Sequence, residues 1–265
     1  MSGPAARSSV DVAGPTPAAG PGIAGRSPSG SPRHLFDDRI YRALRALGLR
    51  VRIELDVEDF ERFISSTEHP VVNSAADPAN HDFAAGEVFW LHLLHGDETV
   101  ATQVLRIVTT DDYVGMVRNH RVFYGDRPSA LRDFRMLPHD AVPRIGGIVV
   151  QLSGLYVMPH WRRVRSSDGM RLVAVWARLT HSFASRGLMA DWSVSLIEAR
   201  VATPRMIADL YGYPNSAPLF EAYVPELDRV ERVTLVWMSA EELVDSVARH
   251  PPPTAQPIPQ PGLAG

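Results

Sequence analysis

Four arginines crowd the stretch between residues 162 and 171: Arg162, Arg163, Arg165 and Arg171, interrupted by Ser166, Ser167, Asp168 and Gly169. Arginine among small polar residues suits anion binding, because a planar guanidinium donates paired hydrogen bonds to phosphate or carboxylate oxygens. The apolar run before them, Val149, Val150, Leu152, Leu155, Tyr156 and Val157, stops at Pro159 and predicts a strand. After them, Leu172, Val175, Trp176, Leu179 and Phe183 recur three and four apart, the spacing of one helix face. A strand, a basic loop and a helix start make a seat for an anion. First-turn amides point outward there, and the helix dipole adds about half a positive charge. Ser167 or Asp168 is the expected cap. The same residues also describe a solvated arginine loop joining a core strand to a core helix, and residue chemistry alone leaves both readings open.

The elements that must hold this stretch follow from periodicity. Residues 35–47 predict a helix with Phe36, Ile40, Leu44 and Leu47 in one line and Gly48 as its stop. Residues 49–55 alternate as a half-buried strand, and Asp56 is placed to cap a short helix carrying Phe60, Phe63 and Ile64. Residues 69–81 read as polar turns. Residues 87–95 and 99–108 predict a hairpin about Gly96, Asp97 and Glu98. The gap that follows is long and rich in arginine and aromatic residues. It predicts an insertion at about 109–145, a lid or substrate-side element with some helix near 128–134.

Beyond the central helix, residues 189–197 predict another strand, and residues 204–210 a short helix capped by Thr203, begun at Pro204 and ended by Gly212. Residues 213–216 read as a turn, and residues 231–238 as a strand. Ser239 and Glu242 have the spacing for reciprocal caps of a last helix. The sum is one mixed α/β domain over residues 34–249. Residues 1–33 and 250–265, rich in Pro, Gly, Ala and Ser, predict disordered tails that order only against a partner chain; whether a homodimer completes the molecule is left open.

Composition excludes several chemistries. With no cysteine in 265 residues there are no disulfides, no cysteine nucleophile and no cysteine-held zinc, which agrees with a reducing cytoplasm. A net charge of -3 offers no global basic field for nucleic acid. No apolar run is long enough to span a bilayer, and the N-terminus lacks the apolar segment of a secretory signal. The chain has no Gly-x-Ser-x-Gly elbow, Walker loop or His-Glu-x-x-His pair. His92 and His95, three apart on a strand, are expected on opposite faces, so no metal is expected.

The run Leu155, Tyr156, Val157, Met158, Pro159, His160, Trp161, Arg162, followed by a loop and a long helix, resembles the acyl-CoA-binding motif of the GNAT superfamily of N-acetyltransferases. Val157 and Pro159 match the family's strand end, and Arg162 its first loop position. The family's short Gly-x-Gly is replaced by residues 163–169, with one glycine and extra residues. The resemblance spans roughly residues 49–243, with its specificity in that motif. It implies a mixed, mostly antiparallel central sheet flanked by helices, acetyltransferase-like with splayed central strands. It also implies transfer of an acyl group from acetyl-CoA or another acyl-CoA to the amine of a small molecule, by direct attack and without a metal.

By the same resemblance, Arg162, Arg163 and Arg165 and the amides around Ser166, Ser167 and Gly169 would hold the donor phosphates. Tyr156 and Val157 would lie along the pantetheine and thioester. Glu87 and Asp191, each near a strand start, are candidate general bases, with His92 a third. Residues 210–213 resemble the family's Tyr…Gly-Phe region at compressed spacing, with Ala208 where the usual tyrosine would lie, so Tyr211 is the candidate proton donor to the departing thiolate. Each of these is alternatively a solvated or packing group. Two other readings stand beside this one. A long-chain N-acyl-amino-acid or acyl-homoserine-lactone-like synthase would receive its acyl group from an acyl carrier protein docked on Arg163 and Arg165. A non-catalytic acyl-CoA-binding or scaffold protein would keep the cleft without the chemistry.

Overall fold

Alternation and caps build the elements much where periodicity puts them. The computed structural model describes residues 9–11, 36–68, 73–166 and 169–248. The rest of both expected tails, and the expected caps Ser167 and Asp168, lie outside the described residues. The strands, in chain order, are β1 (Ser9–Asp11), β2 (Leu49–Glu54), β3 (Val88–His95), β4 (Glu98–Thr110), β5 (Arg132–Met136), β6 (Gly147–Val157), β7 (Trp192–Glu198), β8 (Asn215–Val224) and β9 (Arg229–Ser239). They form one sheet in the order β1-β2-β3-β4-β6-β7-β9-β8-β5. Every neighbouring pair is antiparallel except β6 and β7, which run parallel. The mixed, mostly antiparallel sheet flanked by helices is the expected fold class.

Alternate residues of β6 show how the layers divide. Val150 and Leu152 bury with α1 (Asp38–Ala46), α5 (Leu172–Arg186) and α6 (Ala240–Ala248), whereas Val149 buries with α3 (Tyr113–Arg118) and α4 (Arg121–Tyr124). α2 (Val57–Ser65) covers the second face over β3 and β4, where Phe60 meets Trp90 and Val104. The helix starts are fixed as their side chains allow. Asp37 accepts from the Arg39 and Ile40 amides, and Asp56 from those of Glu58 and Asp59. Ser239 and Glu242 exchange bonds of 2.9 and 3.3 Å at the start of α6.

Three expectations differ from what forms. Helix in the 109–145 stretch lies at α3 and α4, not near 128–134, where Arg132–Met136 is the sheet's outer strand paired with β8. Tyr113, Val117 and Val122 are fully buried, so this stretch supplies one face of the core and does not lie over it as a lid. β8 occupies residues where a turn was expected; Pro218 interrupts its pairing with β9, and the register shifts between Pro218 and Phe220. Residues 9–11 pair with β2 inside the stretch expected as a tail.

Arg106 ties the second face together. Its guanidinium, 7% exposed, donates to the Val122 carbonyl at 2.9 Å, the Ala75 carbonyl at 3.3 Å and the Glu87 carboxylate at 3.2 Å. A buried cation is tolerable only when its donors are met in this way.

β6 carries a bulge opposite β4. Thr102 faces Tyr156 and Val104 faces Ser153, so Gly154 and Leu155 together oppose Gln103. Gly154 sits at φ 58°, and a Cβ there would lie 2.8 Å from Phe60 Cζ. We expect Gly154→Ala to cost about 1–3 kcal/mol, read as a lowered urea midpoint, with part of the loss recovered when Phe60→Leu clears the contact.

Candidate active-site cleft

The parallel strands β6 and β7 pair at only three positions, Val149 with Trp192, Val150 with Ser193 and Gln151 with Val194. Below them Asp191 closes the seam: its amide donates to the Ile148 carbonyl and its carboxylate accepts from the Ile148 amide, each at 2.8 Å. Gly147, at φ 93°, leaves room for that carboxylate; a Cβ would lie 2.3 Å from Asp191 Oδ2. Above Gln151 and Val194 the strands part. The β6 edge from Leu152 to Leu155, swung by its bulge, faces the β7 edge from Ser195 to Glu198 across a cleft of about 280 Å³.

α5 supplies Ala177, Thr180 and His181 to this cleft. A wide π-helical turn (Met206–Tyr211) and the residues after it supply Tyr211 and Tyr213, and Asn73 and Gln103 line it as well. At the β7 end are Glu198 and Arg200, an ion pair joined by Arg229 at 3.4 Å from the same carboxylate. Deeper in, His181 Nε2 lies 2.8 Å from the Tyr211 carbonyl oxygen, and Ser193 Oγ lies 3.4 Å from His181 Nδ1 and 3.2 Å from the Tyr213 hydroxyl. Burial raises the Tyr211 pKa above its ordinary value, so the phenol keeps its proton and remains a donor.

The arginine loop folds back on itself. Arg165 and Arg171 form an antiparallel bridge, and the amides of Ser166, Gly169 and Leu172 donate to the carbonyls of Met170, Ser166 and Val164. Of the residues in place of a Gly-x-Gly turn, Ser166 and Gly169 thus spend their amides within the loop, and Leu172, first in α5, spends its own on the loop as well. The cap position of α5 is Arg171, with no side-chain cap bond. Arg162 is tied down: Nε donates to the Val157 carbonyl at 2.9 Å, the guanidinium pairs with Glu68, and it lies 5.6 Å from the Tyr156 ring centroid. Arg163, Arg165 and Arg171 are exposed around the start of α5, with one Arg165 nitrogen donating to the Gly169 carbonyl at 2.6 Å. Tyr156 and Val157 are buried at the end of β6.

Of the acid–base candidates, Tyr211 alone lines the cleft. Glu87 is bound to Arg106 and accepts from the Ala84 amide at 3.1 Å. Asp191 is at the closed end of the seam. His92 lies two strands from β6, in a groove with Arg52, Glu54, Asp59 and Trp90, its Nδ1 3.5 Å from Thr99 Oγ1. Sequence reasoning missed His181, Thr180, Ser195 and Glu198. A hydroxyl and an imidazole side by side in an apolar helix were the available signal for the first two. Among the described residues no group of three metal-ligating side chains occurs, and no helix is long and apolar enough to cross a membrane.

No family model and no curated protein matches the chain. Among solved structures, it is similar to a CoA-dependent acyl-homoserine lactone synthase at 16% identity, covering 91% of this chain and 87% of that one, with a TM-score of 0.37. It is also similar to an agmatine N-acetyltransferase at 16% identity, 72% and 99% coverage and a TM-score of 0.41. An aminoglycoside N(6')acetyltransferase from Legionella pneumophila matches at 8% identity, 74% and 95% coverage and a TM-score of 0.40. None of these likenesses carries an activity across to this chain.

Three buried histidines make stability pH-dependent. Burial lowers His81 to about 4, His92 to about 3 and His181 to about 4, from 6.5. In the unfolded chain they take up protons near 6.5, so the unfolded state binds more protons as pH falls from there to about 4. Their contribution is full above that window and lost on descending through it, on the order of 3 kcal/mol for each histidine. Denaturant midpoints at pH 7 and pH ~4.5 check this; the midpoint should fall steeply at the lower pH.

Proposed function

We propose that this chain is a divergent member of the GNAT superfamily and an acyl-CoA-dependent N-acyltransferase. The observation that carries the reading is the parting of β6 and β7 above Gln151 and Val194, next to the strand end and arginine loop that lead into α5. A sheet that opens between two parallel strands frees edge amides and carbonyls that would otherwise satisfy one another, and an extended amide-bearing arm such as pantetheine can take their place. Arg163, Arg165 and Arg171 would hold the phosphates by charge-assisted bonds at the start of α5. The amides of Ser166, Gly169 and Leu172, satisfied within the loop, shift that task from backbone to side chains.

With the thioester in the cleft, the amine nitrogen attacks the carbonyl carbon, the new C–N bond forms and the C–S bond breaks. Tyr211, held protonated by burial, gives its proton to the leaving thiolate. The amine's proton leaves at the mouth of the cleft, to Glu198 or to solvent through one water, and solvent returns a proton to the Tyr211 phenolate. In this reading Glu87 and Asp191 hold the fold: one neutralises Arg106, the other closes the β6–β7 seam. The missing cysteines suit a cytoplasmic enzyme. The three exposed arginines also suit the acidic face of an acyl carrier protein, which makes a carrier-fed synthase the second reading.

Binding of CoA, acetyl-CoA, longer acyl-CoAs and acylated carrier protein to the purified chain tests the assignment. Selective acyl-CoA binding, weakened about tenfold or more by joint replacement of Arg163, Arg165 and Arg171 with alanine, is expected. Preference for the carrier promotes the second reading, and no binding to any donor overturns both. Once an amine is found, Tyr211→Phe should lower kcat by about 10²–10⁴ with donor affinity little changed.

A further inference from the structure

His181 lines the cleft beside Tyr211 and takes no part in the transfer itself. His181 comes from α5, is 1% exposed, and has a partner at each ring nitrogen. The partner of Nε2, at 2.8 Å, is the Tyr211 carbonyl oxygen, which can only accept, so Nε2 carries the hydrogen. A neutral imidazole then has a bare Nδ1, which accepts from the Ser193 hydroxyl. That hydroxyl has used its single hydrogen and in turn accepts from Tyr213, whose phenol burial keeps protonated. The bonds run one way, from Tyr213 to Ser193 to His181 to the Tyr211 carbonyl. Edge-on packing of the Tyr213 ring, 4.7 Å from the imidazole centroid at 85°, fixes the plane of the ring as well.

The last bond of the chain falls where the backbone needs one. Tyr211 ends the π-helical turn, and Gly212 reverses the chain at φ 76°. Carbonyls at a helix end have no partner within the helix, and this one takes a side chain of α5 instead. The direction in which the Tyr211 phenol leaves the turn is therefore set by an imidazole thirty residues away in sequence. Burial, and after it the charge of Arg178, hold the imidazole neutral, the form that the chain of bonds requires.

We infer that His181 is the positioning residue for Tyr211: its Nε2–H holds the turn that aims the phenol into the cleft, while Ser193 and Tyr213 fix the tautomer that makes Nε2 the donor. The kinetic half of this inference rests on the acyltransferase reading; the structural half does not.

The structural half is read by ¹⁵N NMR of histidine-labelled protein, with the His181 signals assigned by their loss in His181→Gln. The expected spectrum at pH ~7 has a protonated Nε2 and an unprotonated Nδ1, and Ser193→Ala shifts the Nδ1 signal first. A protonated Nδ1 with a bare Nε2 overturns the inference. The kinetic half is read with acyl-CoA and an accepted amine. His181→Leu should lower kcat about tenfold or more with KM for acyl-CoA little changed, and His181→Gln, which keeps a donor for the carbonyl, should recover most of it. In a Tyr211→Phe background His181→Leu should add no further loss; losses that multiply would show that His181 acts apart from Tyr211 and overturn the positioning role. If the wild-type protein transfers no acyl group from any acyl-CoA, the acyltransferase reading fails, and the tautomer still decides the structural half.

Discussion

Parallel strands gain nothing from being left unpaired, so a seam between them that stops after three residue pairs has to be held open. Asp191 grips the closed end with two bonds to Ile148, and Gly147 has no side chain to obstruct it. At the other end the two edges are turned away by different means. β6 swings by its bulge at Gly154 and Leu155, while β7 remains registered on β9 through Glu198. The helix layer then fills the gap from behind with Thr180, His181 and Tyr213, groups too polar to collapse into an apolar seam without their own partners. The cleft is thus a property of the sheet, and the side chains within it are placed by elements that bury for other reasons.

Polar groups are buried on both faces, with different results. On the second face Arg106 gathers two carbonyls and a carboxylate from separate segments, and its burial makes those segments one unit. Glu87 belongs to that unit, which explains why a carboxylate near a strand start does not serve the cleft. On the first face, the buried groups beside the cleft are neutral: an imidazole, a serine and a phenol joined end to end. A neutral chain costs less to bury than a charge.

What the sequence made legible is what local chemistry decides. Asp56 and the Ser239–Glu242 pair could be read as caps because their function is complete within four residues. The face of α5 could be read from five apolar residues. β8 could not, because Pro218 sits inside it and shifts its register on β9, and its other partner is an outer strand distant in sequence. Arg132–Met136 is largely charged and half-exposed, so its pairing, more than its composition, makes it a strand. The strand and helix flanking the arginine loop were legible, but the antiparallel bridge that consumes the Ser166 and Leu172 amides was not. His181 was hidden for a related reason: α5 is buried on nearly all sides, so the helix has no solvent face against which an inward polar residue would stand out.

The π-helical turn at Met206–Tyr211 has one further consequence. Such a turn holds one residue more than an α-helical turn of the same span, so its side chains advance by less than the roughly 100° of an ordinary helix. The surplus is taken up inside the turn, and Tyr211 stands at its end. Losing one residue from the interior lets the turn rewind into ordinary helix between the same two ends, with Tyr211 still held where His181 grips its carbonyl. Chain length between Thr203 and Gly212 therefore carries one residue of slack, which spares the cleft from the smallest change of length.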